Sequence, residues 1–516
     1  MDRVLVLDFG GQYCHLIARR LRELGVGADI APARTRAASI AADPSVKALV
    51  LSGGPRSVYE RGAPQPDPAI FQLALPILGI CYGHQLLGKH GKAVVRPGKT
   101  REYGKRRVRI DRRSPLFAGL AAEQWVWMSH GDAVSRPPRG FLAIARSNGL
   151  LAGIEDRERK RFGLQFHPEV VHTKNGSRML RNFIRIAGVR KGWDPAGCAE
   201  RAVAATRARV GPREHVLMAV SGGVDSTVAA LLVRKAVGKR FHGVFIDHGL
   251  LREGEAAQAR RIFARLGLPV QCLDESGPFL AALQGVRDPE RKRRAIGHQF
   301  IRAFEAHAHT LDARLRRRGE RLAWLAQGTI YPDRIESAQA GTAAEKIKTH
   351  HNLALPERMR LKVLEPLADL YKDEVRAVGR GLGIPHELLE RQPFPGPGLA
   401  VRCMGAVTVE RLAVLRKADA IFQSVLAAHG YDRRTWQAFA ALLDARAVGV
   451  QGDARSYGQV VALRAVTAVD GMTADWAKLP ADLLEEASSR ITNEVAGVNR
   501  VVYDVTQKPP ATIEFE

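Results

Sequence analysis

Short apolar runs alternate with helix-compatible stretches through the first part of the chain. Such runs have the length of buried strands, and the stretches between them place apolar residues at helical spacing. Strands are predicted at residues 4–7, 48–51, 77–80, 108–110, 126–128 and 162–166, and helices at 13–24 and 85–89. The alternation predicts an α/β unit.

The same alternation resumes after residues 191–195, which read KGWDP and predict a linker before a new helix from Ala199. Strands are predicted at residues 216–220, 243–246, 270–273, 324–327 and 500–505. Residues 392–398, QPFPGPG, are too rich in proline and glycine for regular structure and mark a second boundary. The predicted fold class is α/β, with two consecutive doubly wound α/β domains at 1–190 and 193–391 and a small α+β domain at 392–516.

The bulk composition fits this division and narrows the class of protein. A chain of 516 residues is too long for one core, and roughly 150 residues per domain suggests about three domains. No run reaches the ~18 consecutive apolar residues of a membrane helix, and the N-terminus leads into a strand rather than a signal peptide. Five cysteines without a C-x-x-C pair indicate neither disulfides nor structural zinc. We expect a cytoplasmic protein without a membrane segment.

The net charge of +26 raises the question of a nucleic-acid partner. Arginines occur in all regions, and no basic strip interleaved with aromatic residues is visible, which favours a generally arginine-rich composition but leaves nucleic-acid binding open. One exception is 287–321, where RKRR (291–294) and RRR (316–318) crowd two predicted helical stretches. This cluster suits an anionic substrate, although a solvated helix face explains it nearly as well.

A first chemical site is indicated by residues 79–83, GICYG, which have the form of a nucleophile elbow. The strained turn of such an elbow exposes its central side chain, here the thiol of Cys81. The strand at 162–166 leads into His167 and Glu169, which supply a base and a carboxylate to orient it. These three residues are the predicted catalytic set.

Two main-chain N–H groups are predicted to form an oxyanion hole beside this thiol. Gly54 lies in the glycine turn SGGP (52–55) after another strand, and Tyr82 follows the cysteine. A buried cysteine or a strand-end histidine alone is more often structural than catalytic. The elbow, the triad and the turn together predict catalysis.

A second site is indicated by residues 221–226, SGGVDS, between an apolar run and a helix-compatible stretch. Adjacent glycines turn main-chain N–H groups inward, and the helix N-terminus adds positive potential, which suits phosphate. The loop lacks the spacing and the lysine of a Walker A loop and contains Asp225, a candidate Mg²⁺ ligand. The loop predicts a nucleotide held by its pyrophosphate end; a turn without a ligand is the alternative.

The first site resembles class I glutamine amidotransferases. The resemblance rests on the elbow and the triad and on three further patterns: DFGGQY (8–13), Gln85 and MSHGD (128–132). It implies that the cysteine takes the amide of glutamine as a thioester, releases ammonia and is freed by water. The implied glutamine-binding residues are Gln85, Ser129, His130 and Asp132.

The second loop resembles that of the ATP pyrophosphatase superfamily. Adjoining segments narrow the choice; they lie at 244–252, 325–333, 348–352, 371–376 and 508–514. In this order, behind an amidotransferase domain, they resemble the glutamine-hydrolysing GMP synthase family along essentially the whole chain. The resemblance implies three substrates, XMP, ATP with Mg²⁺, and glutamine: O2 of XMP is adenylylated, ammonia replaces the adenylyl group, and the products are GMP, AMP and pyrophosphate.

The resemblance also assigns domains and residues. It implies an amidotransferase domain at 1–190, an ATP pyrophosphatase domain at 193–391 and an XMP-binding, dimerising domain at 392–516, so we expect a homodimer. The implied ATP-binding residues are Ser221, Gly222, Gly223, Val224, Asp225, Ser226, Val244, Gly328 and Lys372, with Asp225 as the metal ligand and Lys372 as the cation facing pyrophosphate. The implied XMP-binding residues are Arg293, Asp453, Arg455, Lys508 and Glu514. Lys508 and Arg455 suit the 5′-phosphate best because cations bind a dianion.

Two alternatives remain open at this point. A tRNA-modifying ATP pyrophosphatase would suit the positive charge, but it would require a persulfide-carrying cysteine near the ATP loop and leaves the glutaminase idle. A nucleotide-sensing or nucleic-acid-binding protein with decayed sites is a different class. The intact Cys81, His167, Glu169 and Asp225 argue against it.

Overall fold

The structure, a computed structural model, describes residues 1–334, 361–451, 454–468 and 474–516. The chain divides into two compact units, Met1–Asp194 and Pro195–Glu516. Their boundary falls in the predicted linker. The boundary predicted near residue 392 lies inside the second unit, and the three-domain division stays a prediction.

The first unit contains nine strands and four α-helices, with short 3-10 helices at Pro68–Gln72 and Pro115–Phe117. The strands are β1 (Arg3–Asp8), β2 (Gly27–Pro32), β3 (Val46–Leu51), β4 (Ile77–Ile80), β5 (Val95–Ile110), β6 (Glu123–Val134), β7 (Leu142–Ser147), β8 (Leu150–Asp156) and β9 (Arg161–Leu164). The helices are α1 (Cys14–Glu23), α2 (Ala37–Ala41), α3 (Tyr82–His90) and α4 (Gly176–Ala187).

All nine strands form one sheet in the order β2-β1-β3-β4-β9-β8-β7-β5-β6. The first five strands in that order are parallel and the rest are antiparallel. Parallel strands are covered on both faces, so residues 48–51 of β3 and all of β4 read as continuous apolar runs. The sequence prediction missed β2, β7 and β8. A polar residue interrupts the run of β2 and polar residues end that of β7, whereas β8 begins with an uninterrupted apolar run at 150–154 that the prediction omitted.

The second unit contains the remaining strands and helices, with 3-10 helices at Gly238–Arg240 and Gly398–Arg402. The strands are β10 (Glu214–Ala219), β11 (Phe241–Asp247), β12 (Val270–Asp274), β13 (Arg321–Ala326), β14 (Lys362–Leu364), β15 (Gln437–Gln451), β16 (Ala454–Thr467), β17 (Asp475–Trp476) and β18 (Val498–Tyr503). The helices are α5 (Pro195–Arg209), α6 (Val224–Val237), α7 (Glu255–Arg265), α8 (Ser276–Ala282), α9 (Pro289–Arg316), α10 (Lys372–Gly381), α11 (His386–Leu389), α12 (Val409–Ala428) and α13 (Ala481–Glu494).

The second unit has two sheets that share one hydrophobic core. A parallel sheet has the order β12-β11-β10-β13-β14, and a C-terminal sheet pairs β15, β17 and β18 with β16. Leu217 and Phe304 from the first part belong to the same core as Leu399, Phe422 and Leu463 from the second. The predicted fold class is confirmed. Among the described residues, no helix is long and apolar enough to cross a membrane.

Two local predictions were wrong. The basic region at 287–321 has one helix of 28 residues, α9, rather than two helical stretches. Lys292 is fully buried, and its ammonium group donates to the main-chain oxygens of Ala400 (3.3 Å) and Cys403 (2.7 Å) and pairs with Glu516. This lysine therefore does not lie on a solvated face. Helix α5 begins at Pro195 rather than Ala199, because proline is tolerated in the first helical turn.

Candidate active sites

Cys81 lies in the turn between β4 and α3 with φ +53° and ψ −103°, a conformation that is costly for any residue with a Cβ. Its N–H donates to the Leu164 oxygen at 2.7 Å, which joins the ends of β4 and β9. The flanking glycines are required by packing: a Cβ at Gly79 would lie 2.3 Å from the Gly83 oxygen, and a Cβ at Gly83 would lie 2.2 Å from the Leu51 oxygen. The turn has the geometry predicted from GICYG.

His167 and Glu169 follow β9 and are buried beside this turn. The His167 Nδ1–H donates to a Glu169 carboxylate oxygen at 2.6 Å. Burial alone would lower the pKa of His167, but the charge of Glu169 and hydrogen bonds with Cys81 and Glu169 raise it to about 10. A Cβ at Gly53 would lie 3.2 Å from His167 Cε1 and 3.7 Å from Cys81 Cβ, so both side chains pack against the same glycine. The three predicted catalytic residues are together.

The two predicted oxyanion donors are also neighbours. Tyr82 is the first residue of α3, so its N–H has no acceptor within the helix. A Cβ at Gly54 would lie 2.9 Å from the Phe9 oxygen and 3.1 Å from Tyr82 Cγ, which leaves room only for glycine. The geometry can present two N–H groups to one oxygen.

The four predicted glutamine-binding residues line one side of the thiol. The Cys81 thiol donates to the Ser129 main-chain oxygen at 3.7 Å. The Asp132 main-chain oxygen accepts from the Gln85 amide at 3.2 Å and lies 2.9 Å from His130 Nδ1. Residues 129–132 of β6, which we call the glutamine segment, therefore form a wall beside the nucleophile.

Sequence reasoning missed three residues that contact this wall or the Cys81 thiol. The Tyr59 hydroxyl donates to the Asp132 carboxylate at 2.9 Å. The Gln165 amide lies 3.8 Å from the Cys81 sulfur, and Glu102 lies 3.3 Å from His130 Nε2. A signal for Glu102 existed, since it is the one acidic residue in the strongly basic strand β5.

The SGGVDS loop joins β10 to α6 as predicted. Gly222 has φ +76°, a conformation that favours glycine. The Ser221 and Ser226 hydroxyls lie 3.0 Å apart, and the Gly223 N–H donates to Ser221 at 3.3 Å. Val224 begins the helix.

Other predicted ATP-binding residues pack around this loop. The Val244 main-chain oxygen accepts from the Val220 N–H at 2.8 Å, and a Cβ at Gly328 would lie 3.2 Å from the Ser226 nitrogen. Arg391, which the sequence analysis missed, donates to the Gly222 oxygen at 3.4 Å and pairs with Glu255. Burial lowers the pKa of Arg391 to about 10.

Asp225 and Lys372 form an ion pair at the mouth of the loop. The Lys372 ammonium nitrogen lies 2.5 Å from Asp225 Oδ2, and the side chains keep 45% and 29% of their surface exposed. The other carboxylate oxygen, Oδ1, is buried and has no hydrogen-bond partner among the described residues. An anionic oxygen without a partner suits a hard cation, so the site fits the predicted Mg²⁺.

The predicted XMP-binding residues are dispersed over several elements. Arg455 is exposed on β16, and Lys508 pairs through its main chain with Ala474. Both Glu514 carboxylate oxygens accept from buried Arg402 at 2.9 Å, and Arg293 donates to the Glu516 main-chain oxygen. Asp453 lies outside the described residues.

Three family models match the chain: Glutamine amidotransferase class-I at 5–187, NAD synthase at 203–316 and GMP synthase C terminal domain at 424–515. Over its whole length, the chain is 52% identical to the glutamine-hydrolyzing GMP synthase of Parafrankia sp. (strain EAN1pec), covering 97% of that protein. It is 51% and 50% identical to those of Carboxydothermus hydrogenoformans and Chlorobium luteolum, with full coverage of both chains. The chain belongs to the glutamine-hydrolysing GMP synthase family.

Membership in the GMP synthase family confirms the resemblance and the prediction of a glutamine-dependent ligase. The tRNA-modifying alternative is not favoured, because the similarity extends over the amidotransferase part as well as the ATP loop.

One structural finding bears on the charge of this GMP synthase family member. The Lys105 ammonium and the Arg107 guanidinium lie 5.0 and 5.4 Å from the ring centre of exposed Trp125. These residues lie on separate strands, β5 and β6, and meet only through strand pairing, so no aromatic-interleaved basic strip is visible in the sequence.

Proposed function

We propose that this chain converts XMP to GMP, with ammonia from glutamine and with ATP cleaved to AMP and pyrophosphate. The observation that carries the proposal is the buried Cys81–His167–Glu169 set, in a chain whose second unit contains the SGGVDS loop. A glutaminase supplies ammonia, and the loop supplies the activated acceptor on which that ammonia is used.

The glutaminase step begins with attack of the Cys81 sulfur on the side-chain carbonyl carbon of glutamine. The Gly54 and Tyr82 N–H groups stabilise the oxyanion, and protonated His167 gives its proton to the departing ammonia. Neutral His167 then takes a proton from water, whose oxygen attacks the thioester carbon and releases glutamate. Glu169 holds the ring and stabilises its charge, which the raised pKa of His167 supports.

In the second step, O2 of XMP attacks the α-phosphorus of ATP, and pyrophosphate leaves. The loop N–H groups and Lys372 bind the pyrophosphate oxygens, where negative charge accumulates. Asp225 would hold Mg²⁺, which neutralises phosphate charge when bound; its unpartnered Oδ1 supports this role. Ammonia then attacks C2 of the adenylylated ring, and AMP leaves.

The XMP site belongs to the same proposal. Arg455 and Lys508 bind the 5′-phosphate, and Arg293, Asp453 and Glu514 complete the site. The position of Glu514 between Arg402 and Gln437 supports a fixed carboxylate at this end of the chain. The same proposal divides the chain into an amidotransferase domain at 1–190, an ATP pyrophosphatase domain at 193–391 and an XMP-binding domain at 392–516.

A homodimer formed through the C-terminal sheet is part of the proposal. Val448, Val450 and Tyr457 are exposed on one face of the β15–β16 pair, as their register shows. A second copy of the chain would bury this apolar face. Sedimentation velocity should give the mass of two chains for the wild type and the mass of one chain for the Val450→Glu variant.

We also propose a cytoplasmic location, which cell fractionation tests and which the free cysteines support.

The direct test is an assay of the purified chain with XMP, ATP-Mg²⁺ and glutamine. We expect GMP, AMP, pyrophosphate and glutamate in equal amounts, and GMP also when ammonia replaces glutamine. Folded protein that forms no GMP under either condition would contradict the proposal.

A further inference from the structure

The buried carboxylate of Glu102 has no part in the mechanism above, yet it contacts the glutamine segment. Glu102 lies on β5 directly opposite His130 on β6, and both side chains are almost fully buried. One carboxylate oxygen accepts from the Ser147 hydroxyl at 2.8 Å, and the other lies 3.3 Å from His130 Nε2. The carboxylate therefore has a partner on each oxygen.

The partners of His130 lie on both sides of its ring. Nδ1 lies 2.9 Å from the Asp132 main-chain oxygen, and Nε2 faces the Glu102 carboxylate at 3.3 Å, outside hydrogen-bond geometry. A carbonyl oxygen only accepts, so Nδ1 is the donor in the contact with Asp132. Burial would raise the pKa of Glu102, but His130 and the Ser147 hydroxyl outweigh burial and lower it, which keeps the carboxylate ionised.

The consequence reaches the nucleophile through the glutamine segment. The Asp132 main-chain oxygen accepts from both His130 and Gln85, which fixes the end of the segment. The start of the segment, at Ser129, contacts the Cys81 thiol. Without the carboxylate, the His130 ring loses the group that faces its second nitrogen.

We propose that Glu102 is a positioning residue for glutamine: its buried carboxylate orients the His130 ring, whose Nδ1–H fixes the Asp132 carbonyl and with it the glutamine segment. The inference rests on the proposed glutaminase function. Glu102 itself touches no reacting atom, so its removal should affect glutamine binding rather than the ammonia-dependent reaction.

The test compares Glu102→Leu with Glu102→Gln in the full-length enzyme. We expect Glu102→Leu to raise the KM for glutamine roughly tenfold or more, with kcat changed less, because the polar group that faces the His130 ring is lost. Glu102→Gln retains the shape and a polar group facing the ring, so its KM should stay within about threefold of wild type. Ammonia-dependent GMP formation should be unchanged in both variants.

Glu155→Leu is the matched control, since Glu155 is also buried on a strand of the same unit and also accepts from a serine hydroxyl, that of Ser114. It should leave the KM for glutamine unchanged. An unchanged KM in Glu102→Leu, or an equal rise in Glu155→Leu, would overturn the inference. Wild type without glutamine-dependent GMP would instead contradict the proposed function.

Discussion

The turn at Cys81 and the loop at 221–226 share a strand–turn–helix arrangement, but the first presents a nucleophile and the second is proposed to bind phosphate. The first places a residue with a Cβ at φ +53°, whereas the second places its positive φ, +76°, at Gly222. His167 and Glu169 are buried, whereas Asp225 and Lys372 are partly exposed. A nucleophile needs fixed geometry and little water, whereas a phosphate loop needs open N–H groups for a bulky polyanion.

The difference extends to electrostatics. In the first site a buried carboxylate raises the pKa of His167, because little solvent screens the pair. In the second site solvent reaches both members of the ion pair, so either side chain can exchange its partner for ligand or metal. The comparison predicts that the first site depends on an unbroken buried set and the second on individual exposed charges.

The largest effect should come from Cys81→Ala. Loss of the nucleophile should reduce glutamine-dependent GMP formation by about 10⁶-fold, below ordinary detection. Ammonia-dependent formation should remain, since the second site is intact. Steady-state assays with each nitrogen source measure this. Cys14→Ala, at another buried cysteine of the same unit, should retain both activities; loss of both in Cys81→Ala would remove the distinction between the sites.

Glu169→Gln should be the next largest change. Without the carboxylate the imidazolium loses its main stabilising charge, and glutamine-dependent kcat should fall by about 10⁴-fold. The ammonia-dependent rate should not change. Glu155→Gln is the control for loss of a buried carboxylate in the same sheet. An equal fall in Glu155→Gln and Glu169→Gln would show that burial of a carboxylate, rather than contact with His167, matters.

The same variant should change the pH dependence of stability. The folded pKa of His167 is about 10, above the ~6.5 of an unfolded histidine. The contribution of charged His167 to the free energy of unfolding is therefore complete below about pH 6.5 and is lost as the pH rises toward 10. The difference in unfolding free energy between wild type and Glu169→Gln should shrink over that window, which urea denaturation at several pH values measures. A constant difference would contradict the assigned charge pair.

Asp225→Asn should affect the second site alone. Loss of one exposed anionic ligand should lower GMP formation by about 10³-fold, with glutamine and ammonia as nitrogen sources alike. Raised Mg²⁺ should recover part of the rate. Asp274→Asn, which removes an exposed carboxylate at the end of β12, should have no such effect. A loss confined to the glutamine-dependent rate would contradict the assignment of Asp225 to the ATP site.

The smallest effect concerns backbone strain. Cys81→Gly should be more stable than Cys81→Ala by about 1 kcal/mol, and Gly222→Ala should be destabilised by about the same amount, because positive φ disfavours a Cβ. A Cβ at Gly222 would meet no atom closer than 3.4 Å, so the change in unfolding free energy reflects the backbone conformation rather than steric crowding. Gly223→Ala, at φ −82°, is the control for chemical denaturation. Equal stability of the two Cys81 variants would show that the turn is unstrained.

The triad and the ATP loop could be predicted from sequence because their determinants are local. Gly79, Gly83 and the strand before them dictate the turn at Cys81, and a two-residue spacing fixes His167 against Glu169. The burial of Lys292 on α9 could not be predicted, because it depends on packing against Glu516, which lies 224 residues away in the sequence.

The sequence by itself determined the family, the fold class, the order of the two loops and which side chains carry the chemistry, because strand–turn–helix geometry is set within a few residues. Only the tertiary structure decided the pairing of Glu102 with His130, the contact of Arg391 with the ATP loop and the burial of Lys292. Each depends on strand register or core packing between distant segments, where desolvation makes a charged side chain costly unless a specific partner meets it.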